Sequence, residues 1–313
     1  METVLSFMVR TYRITIAIIC FCALLAPGCS KESSGPVEPA PQRQTLLIGL
    51  VPEQSMFKQV ERYEPLARYL SLRMGADVKL IILPRYEQIL NSFTVHQVDA
   101  AFFGSFTFVL AHAKLGVQVI ARPVGLDGKS TYHGLLFVRK DSGIRSVRDM
   151  KGKRFAFVDR DTTAGYLLPL AYFKKAGVNY KTYLKESYFA GTHEDAIHDV
   201  LDRKADIGAA KNTEFERLAT ADSRIKAELV VLARSPEVPE NSLAVRNDLE
   251  PSLKEKLSEA LLTMHENQIG ARILQNFGAL RFIETTDSDF RPVYDYAQEI
   301  GIDLSTWNQG QVR

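Results

Sequence analysis

From Thr45 onward the sequence alternates short apolar runs with stretches of helical period, and that rhythm leaves few architectures open. Residues 45–51 (TLLIGLV) form a continuous apolar run, as expected of a parallel strand buried on both faces. Residues 65–74 read as a helix, with Pro65 near its start, Leu66, Leu70 and Met74 on one stripe, and Gly75 as the stop. Strands are predicted over 78–83, 98–103 and 117–121, with helices over 86–93 and 106–114 between them. A strand over 132–139 then crosses into a second lobe. That lobe has strands over 154–158, 206–209 and 229–233 and helices over 166–176 and 193–203, the latter with Ala196, Ile197, Val200 and Leu201 inward. Residues 243–245 resume the first lobe, and the chain from Pro251 onward reads as mostly helical. Alternation of this kind predicts an α/β fold with parallel sheet.

Composition narrows the function. A chain of 313 residues fits one large domain or two of medium size. Hydrophobic residues at 46% supply real cores. A mean hydropathy of -0.10 excludes a polytopic membrane protein. Lys+Arg 39 against Asp+Glu 37 leaves +2, without the concentrated basic surface of a nucleic-acid binder. Cys20, Cys22 and Cys29 all lie in the first thirty residues, so the body holds no disulfide, thiolate nucleophile or cysteine metal cluster.

The N-terminal segment carries an address. Residues 14–26 are almost wholly apolar and follow Arg10 and Arg13, and Met8 gives a tidier start than Met1. The run is shorter than the roughly 20 residues that span a bilayer as a helix, and its pattern is that of a secretory signal. Residues 24–30 (LLAPGCS) resemble the lipobox of bacterial lipoproteins, with departures at Ala26 and Pro27. Residues 1–28 are then a signal peptide and Cys29 is the acylated N-terminus; the alternative is an ordinary secretory signal with a chance cysteine. Each buried CH₂ contributes about 0.8 kcal/mol, so several acyl chains make a firm anchor. Residues 29–44, rich in Pro and Ser, read as a flexible tether.

The candidate site begins with residues 155–167 (FAFVDRDTTAGYL), where a strand ends, a hydroxyl-rich turn follows and a helix begins. The free N–H groups of such a helix start suit an anion. Thr162 and Thr163 add hydroxyls and Gly165 allows close backbone approach; equally, Thr162 or Thr163 could simply cap the helix. His193, in Gly191-Thr192-His193, stands at another predicted helix start and reads either as an anion donor or as a surface histidine. His193 and His198 are five apart, unlike the i, i+4 pair of a zinc motif, so no metal site is expected. No nucleophile elbow, Walker loop or dinucleotide fingerprint is present.

Taken together, four motifs resemble the PhnD-like substrate-binding proteins of phosphate/phosphite/phosphonate ABC transporters. Residues 98–104 (VDAAFFG) are similar to the strand before that family's first cleft loop. Residues 159–165 are similar to its phosphonate loop, residues 191–194 (GTHE) to its histidine turn, and residues 205–209 (ADIGA) to a later strand. The resemblance implies a two-lobed periplasmic-binding-protein-like fold of type II, with residues 45–134 and 235–313 in lobe 1 and 135–234 in lobe 2. It implies that Thr162, Thr163 and the backbone of Ala164 bind phosphonate oxygens, where Ala164 replaces a usual serine. It implies that His193, Tyr86 and Tyr132 reach the same oxyanion. Glu214 matches a carboxylate that pairs with the amino group of an aminoalkyl phosphonate. The second acid of that amine site falls at the neutral Asn241, with Glu240 beside it. A buried cation is costly unless paired, so phosphate, phosphite or methylphosphonate is expected to bind at least as well as 2-aminoethylphosphonate.

The function implied is capture without chemistry. A lipoprotein on the bacterial cell envelope, facing the periplasm or exterior, closes on a small phosphorus oxyanion and delivers it to an ABC permease. It is expected to act as a monomer, with no cofactor, no metal and no nucleic-acid partner. The alternative is a ligand-sensing lipoprotein that reports phosphorus oxyanions to a signalling partner.

Overall fold

In the computed structural model, residues 43–307 are described; the predicted signal segment, Cys29 and the tether up to residue 42 lie outside the described residues. Six strands build the first sheet: β1 (Thr45–Leu50), β2 (Asp77–Ile82), β3 (Ala100–Phe103), β4 (Gln118–Gly125), β12 (Ser242–Val245) and β13 (Ala279–Glu284). Their order is β13-β4-β12-β3-β1-β2. The apolar run at 45–50 lies inside, parallel to β2 through Ile48↔Leu80 and to β3 through Ile48↔Ala100. A second sheet has the order β10-β6-β9-β7-β8, from β6 (Gly134–Arg139), β7 (Arg154–Phe157), β8 (Glu186–Phe189), β9 (Ile207–Lys211) and β10 (Leu229–Arg234). Each sheet is the floor of one lobe.

Neither sheet is purely parallel, which corrects the expectation from the alternating pattern. β12 runs antiparallel to β3 and β4, and β6 runs antiparallel to β9 and β10. The cause is the traffic between lobes. β4 leaves the first sheet toward the second lobe and β12 returns from it, so the two point in opposite directions. The passages run side by side as a two-stranded ribbon, β5 (Thr131–Tyr132) against β11 (Val238–Pro239). They are tied again where the Ser235 N–H donates to the Gly134 carbonyl at 3.0 Å and the Gly134 N–H donates to the Ser235 hydroxyl at 2.9 Å. The single strand predicted over 132–139 is therefore two strands with a crossing between them.

Local differences also have physical causes. The first helix spans Met56–Met74, with Pro65 in its interior rather than at its start. Gln59 and Tyr63 extend the buried stripe of Leu66, Leu70 and Met74 backwards, and burying that longer face outweighs the one backbone bond that proline removes. The helix predicted over 166–176 is an α-helix over Leu168–Lys175 preceded by a π turn over Thr163–Leu167, in which the Leu167 N–H reaches the Thr162 carbonyl at 3.1 Å. Strands β8 and β13 were not predicted. In β13 only Ala279 and Phe282 are buried, so the sequence carries no clean period of two.

Between β9 and the helix His193–Leu201 there is no slack. A Cβ at Gly208 would stand 2.7 Å from the Phe137 ring and 2.8 Å from Val200. Gly208→Ala is expected to destabilise by about 1–3 kcal/mol through overpacking, read as a lower urea midpoint. An unchanged midpoint would contradict this seating.

Candidate functional site

The strands that run toward the cleft end there, and the chain turns into helices whose N-termini face the same point. Glu53 follows β1, Gly104 follows β3, Thr162 and Thr163 follow β7, and Lys211 ends β9. Helices start beside them at Ser105, His193 and Asn212. Strand C-termini and helix N-termini are where an α/β fold offers unpaired N–H groups to a ligand. A small cavity results, lined by Glu53, Tyr86, Gly104, Thr107, Tyr132, Thr162, Thr163, His193, Lys211 and Asn241. The centre of a water molecule can move through only about 10 Å³ of it. That is near the smallest space that holds one water, roughly 10–15 Å³.

Of the residues marked in the sequence, Tyr86, Tyr132, Thr162, Thr163, His193 and Asn241 come together here. Ala164 and Glu214 do not line this cavity. Ala164 lines a larger groove of about 240 Å³ with Leu168, Tyr172, Arg234 and Tyr296. Glu214 is buried and engaged by two arginines, Arg62 Nη1 at 3.7 Å and Arg217 Nη2 in closer contact.

The donors are largely neutral. The backbone N–H of Lys211 donates to His193 Nδ1 at 3.3 Å, which makes Nδ1 the acceptor and leaves the imidazole proton on Nε2. Burial pushes the His193 pKa down to about 4, with Lys211 acting in the same direction and Glu53 opposing. Thr163 Oγ1 accepts the Phe106 N–H across the cleft at 2.8 Å. Its hydroxyl also pairs with that of Tyr132 in the cavity wall. The Thr162 hydroxyl donates to the Asp159 carbonyl at 2.6 Å and so spends its proton locally. Tyr86 is buried and its hydroxyl has no hydrogen-bond partner. Burial, then Glu53, holds that phenol well above its ordinary pKa, so it is a donor at any physiological pH. Gly165 serves packing. A Cβ there would fall 2.3 Å from the Val158 Cβ and 2.7 Å from Thr162 Oγ1.

Two charged residues at this place, Glu53 and Lys211, carried no signal strong enough to single them out, while Glu240 was marked only as the neighbour of Asn241. The Lys211 ammonium lies 3.4 Å from Glu53 Oε1 and also contacts Glu240 Oε1. Burial alone would raise the Glu53 pKa, but Lys211 and Arg62 hold it well below the carboxylate range. The available clue was position, since Glu53 and Lys211 are polar residues directly after buried strand runs. Among the described residues no cluster of His, Cys, Asp and Glu could hold a metal ion. Glu194, beside His193, instead bonds Lys58 at 2.5 Å and the Ser55 N–H at 3.2 Å.

His193 makes stability depend on pH in a defined window. In the unfolded chain it takes up a proton near pH 6.5, but in the fold only near pH 4. The unfolded state binds more protons between these values, so stability falls as pH drops from about 6.5 to 4 and levels off below. At about 1.4 kcal/mol per unit the loss between pH 7 and 4.5 is about 2–3 kcal/mol. His193→Gln titrates in neither state. Urea unfolding of wild type and His193→Gln should therefore differ by that much more at one pH than at the other. A difference independent of pH would contradict the buried neutral imidazole.

Comparison with known proteins places this geometry in a setting. A family model for the periplasmic substrate-binding protein of a phosphonate ABC transporter matches residues 48–290. The chain is similar to the phosphonates-binding periplasmic protein of Escherichia coli (strain K12), at 25% identity over 279 residues, covering 88% of this chain and 79% of the relative. It is similar to the phosphate-import protein PhnD of Mycolicibacterium smegmatis, at 27% identity over 262 residues, covering 79% of this chain and 80% of the relative. A solved binding-protein component of an ABC phosphonate transporter from Pseudomonas aeruginosa matches with a TM-score of 0.78 at 25% identity, over 82% of this chain and 87% of that one. The fold is also that of PhnD1 from Prochlorococcus marinus in complex with methylphosphonate, with a TM-score of 0.75 at 22% identity, over 82% of this chain and 98% of that one.

Proposed function

This chain belongs to the family of periplasmic substrate-binding proteins of phosphonate ABC transporters, and on that premise we propose that it captures a compact phosphorus oxyanion, such as phosphate, phosphite or methylphosphonate. The chain is a transporter component and not an enzyme. The observation that carries the choice of ligand is the Tyr86 hydroxyl, buried without a partner in the wall of a cavity that also holds Thr163 and His193. An unpaired buried donor is costly, by about 1–3 kcal/mol. An anion oxygen relieves that cost and receives the His193 Nε2–H and the Thr163 hydroxyl as well. Tyr132, Thr162 and Asn241 complete the walls. Glu214, neutralised by Arg62 and Arg217, is left outside the contact set.

Donors of this kind hold an anion by replacing its hydration shell in fixed directions, which selects shape. Tyr86→Phe and Thr163→Ala should each remove a hydrogen bond to a charged group of about 1.5–3 kcal/mol, or roughly 10–150-fold in affinity. Calorimetry with phosphate and methylphosphonate reads this. Variants that bind both as tightly as wild type would contradict the site.

The envelope anchor belongs to the same reading. We infer that Cys29 is acylated and that the protein acts as a monomer tethered through the residues that follow it. Two or more acyl chains provide stable membrane attachment where one provides only marginal binding. Cys29→Ala should abolish labelling by a fatty-acid probe and release the protein from membranes. Unchanged labelling would contradict the lipobox.

A further inference from the structure

Lys211 ends β9 and is buried, with 3% of its surface exposed. Its Nζ lies 3.4 Å from Glu53 Oε1 and 3.1 Å from Asn241 Oδ1, and it donates to Glu240 Oε1. It also sits 4.6 Å from the centroid of the Tyr132 ring. A lysine ammonium has three N–H donors, and these three acceptors use them all. None is left for an anion in the cavity, so Lys211 does not act as a direct oxyanion ligand. Its surroundings are fixed in turn. The Asn241 side chain also bonds Glu53, and the Asn241 N–H donates to Glu240 Oε1 at 2.8 Å. Two carboxylates, an amide oxygen and an aromatic face around one nitrogen form a cage for a primary ammonium. The protein fills that cage with its own side chain.

We propose that Lys211 is the specificity-determining residue of this cavity: it occupies an ammonium cage built into the wall, and so confines the ligand to a single tetrahedral oxyanion without an ammonium-bearing arm. Two effects follow from its place. Its bulk takes the space into which an aminoalkyl arm would extend. Its charge offsets the carboxylates of Glu53 and Glu240, which would otherwise stand uncompensated beside a bound anion. The inference rests on reading the cavity as an oxyanion site.

The test is calorimetry of wild type, K211A and K211M with inorganic phosphate, methylphosphonate and 2-aminoethylphosphonate. Wild type should bind the two compact ions about tenfold or more tighter than the amine-bearing one. K211A empties the cage, and the order should reverse by a similar factor. K211M keeps most of the bulk without the charge, so it should weaken phosphate binding and gain nothing for 2-aminoethylphosphonate. Should K211A fail to fold with two stranded carboxylates, K211A/E240Q removes one of them and should show the same reversal. Wild-type ranking retained in K211A, or in the double variant, overturns the role of Lys211 while leaving the oxyanion site intact. A wild-type chain that binds none of the three overturns the oxyanion reading itself.

Discussion

A lysine ammonium held away from water between two lobes is the constraint on which this site depends. Burying such a charge is unfavourable unless it is paired and hydrogen-bonded at every donor. The three acceptors of Lys211 come from different parts of the chain: Glu53 after β1, and Glu240 and Asn241 on the return passage, while Lys211 itself ends a strand of the second sheet. Satisfying one lysine therefore fixes the first lobe, the second lobe and the crossing relative to each other. The same lysine's backbone N–H sets the His193 tautomer, so charge burial and donor orientation are one arrangement.

Around this centre the lobes meet through polar contacts, beside a buried apolar cluster that continues from Phe103, Phe106 and Phe108 into Val158, Ala164 and Leu167. The His193 N–H donates to the Glu53 carbonyl at 3.2 Å, the Thr107 hydroxyl to the Asp161 carbonyl at 2.7 Å, and the Phe106 N–H to Thr163 at 2.8 Å. The Trp307 indole donates to Asp161 Oδ1 at 2.8 Å, tying the end of the described chain to the same loop. Each neutral bond is worth only about 1 kcal/mol net, because water competes for both partners. A ligand drives closure only by binding the closed form better, and in the proposed site the unpartnered Tyr86 hydroxyl would supply such a difference.

Much of this was legible in the sequence, for physical reasons that can be named. The run at 45–50 announced an inner strand because parallel strands are buried on both faces. The turn at 159–165 and the helix start at His193 stood out through residue types and position, and the fold brings Thr162, Thr163 and His193 to one cavity. What the sequence hid lay in pairing. Pro65 suggested a helix start because proline is favoured there, yet the buried stripe through Gln59 and Tyr63 outweighed it. Antiparallel β12 follows from the chain's return across the cleft, which no local pattern encodes. Lys211 looked like an ordinary residue ahead of a helix, since its partners Glu53 and Glu240 are distant in sequence and gather only in the fold.

The central claim is that one phosphorus oxyanion per chain enters a cavity of neutral donors and exchanges its water for them. ³¹P NMR of methylphosphonate titrated with the wild-type chain tests this directly, because the phosphorus nucleus reports its own surroundings. The account predicts a bound resonance, displaced from the free one, that saturates at one equivalent and persists when sulfate is added in excess. A spectrum that shows only free methylphosphonate at all protein concentrations would contradict it.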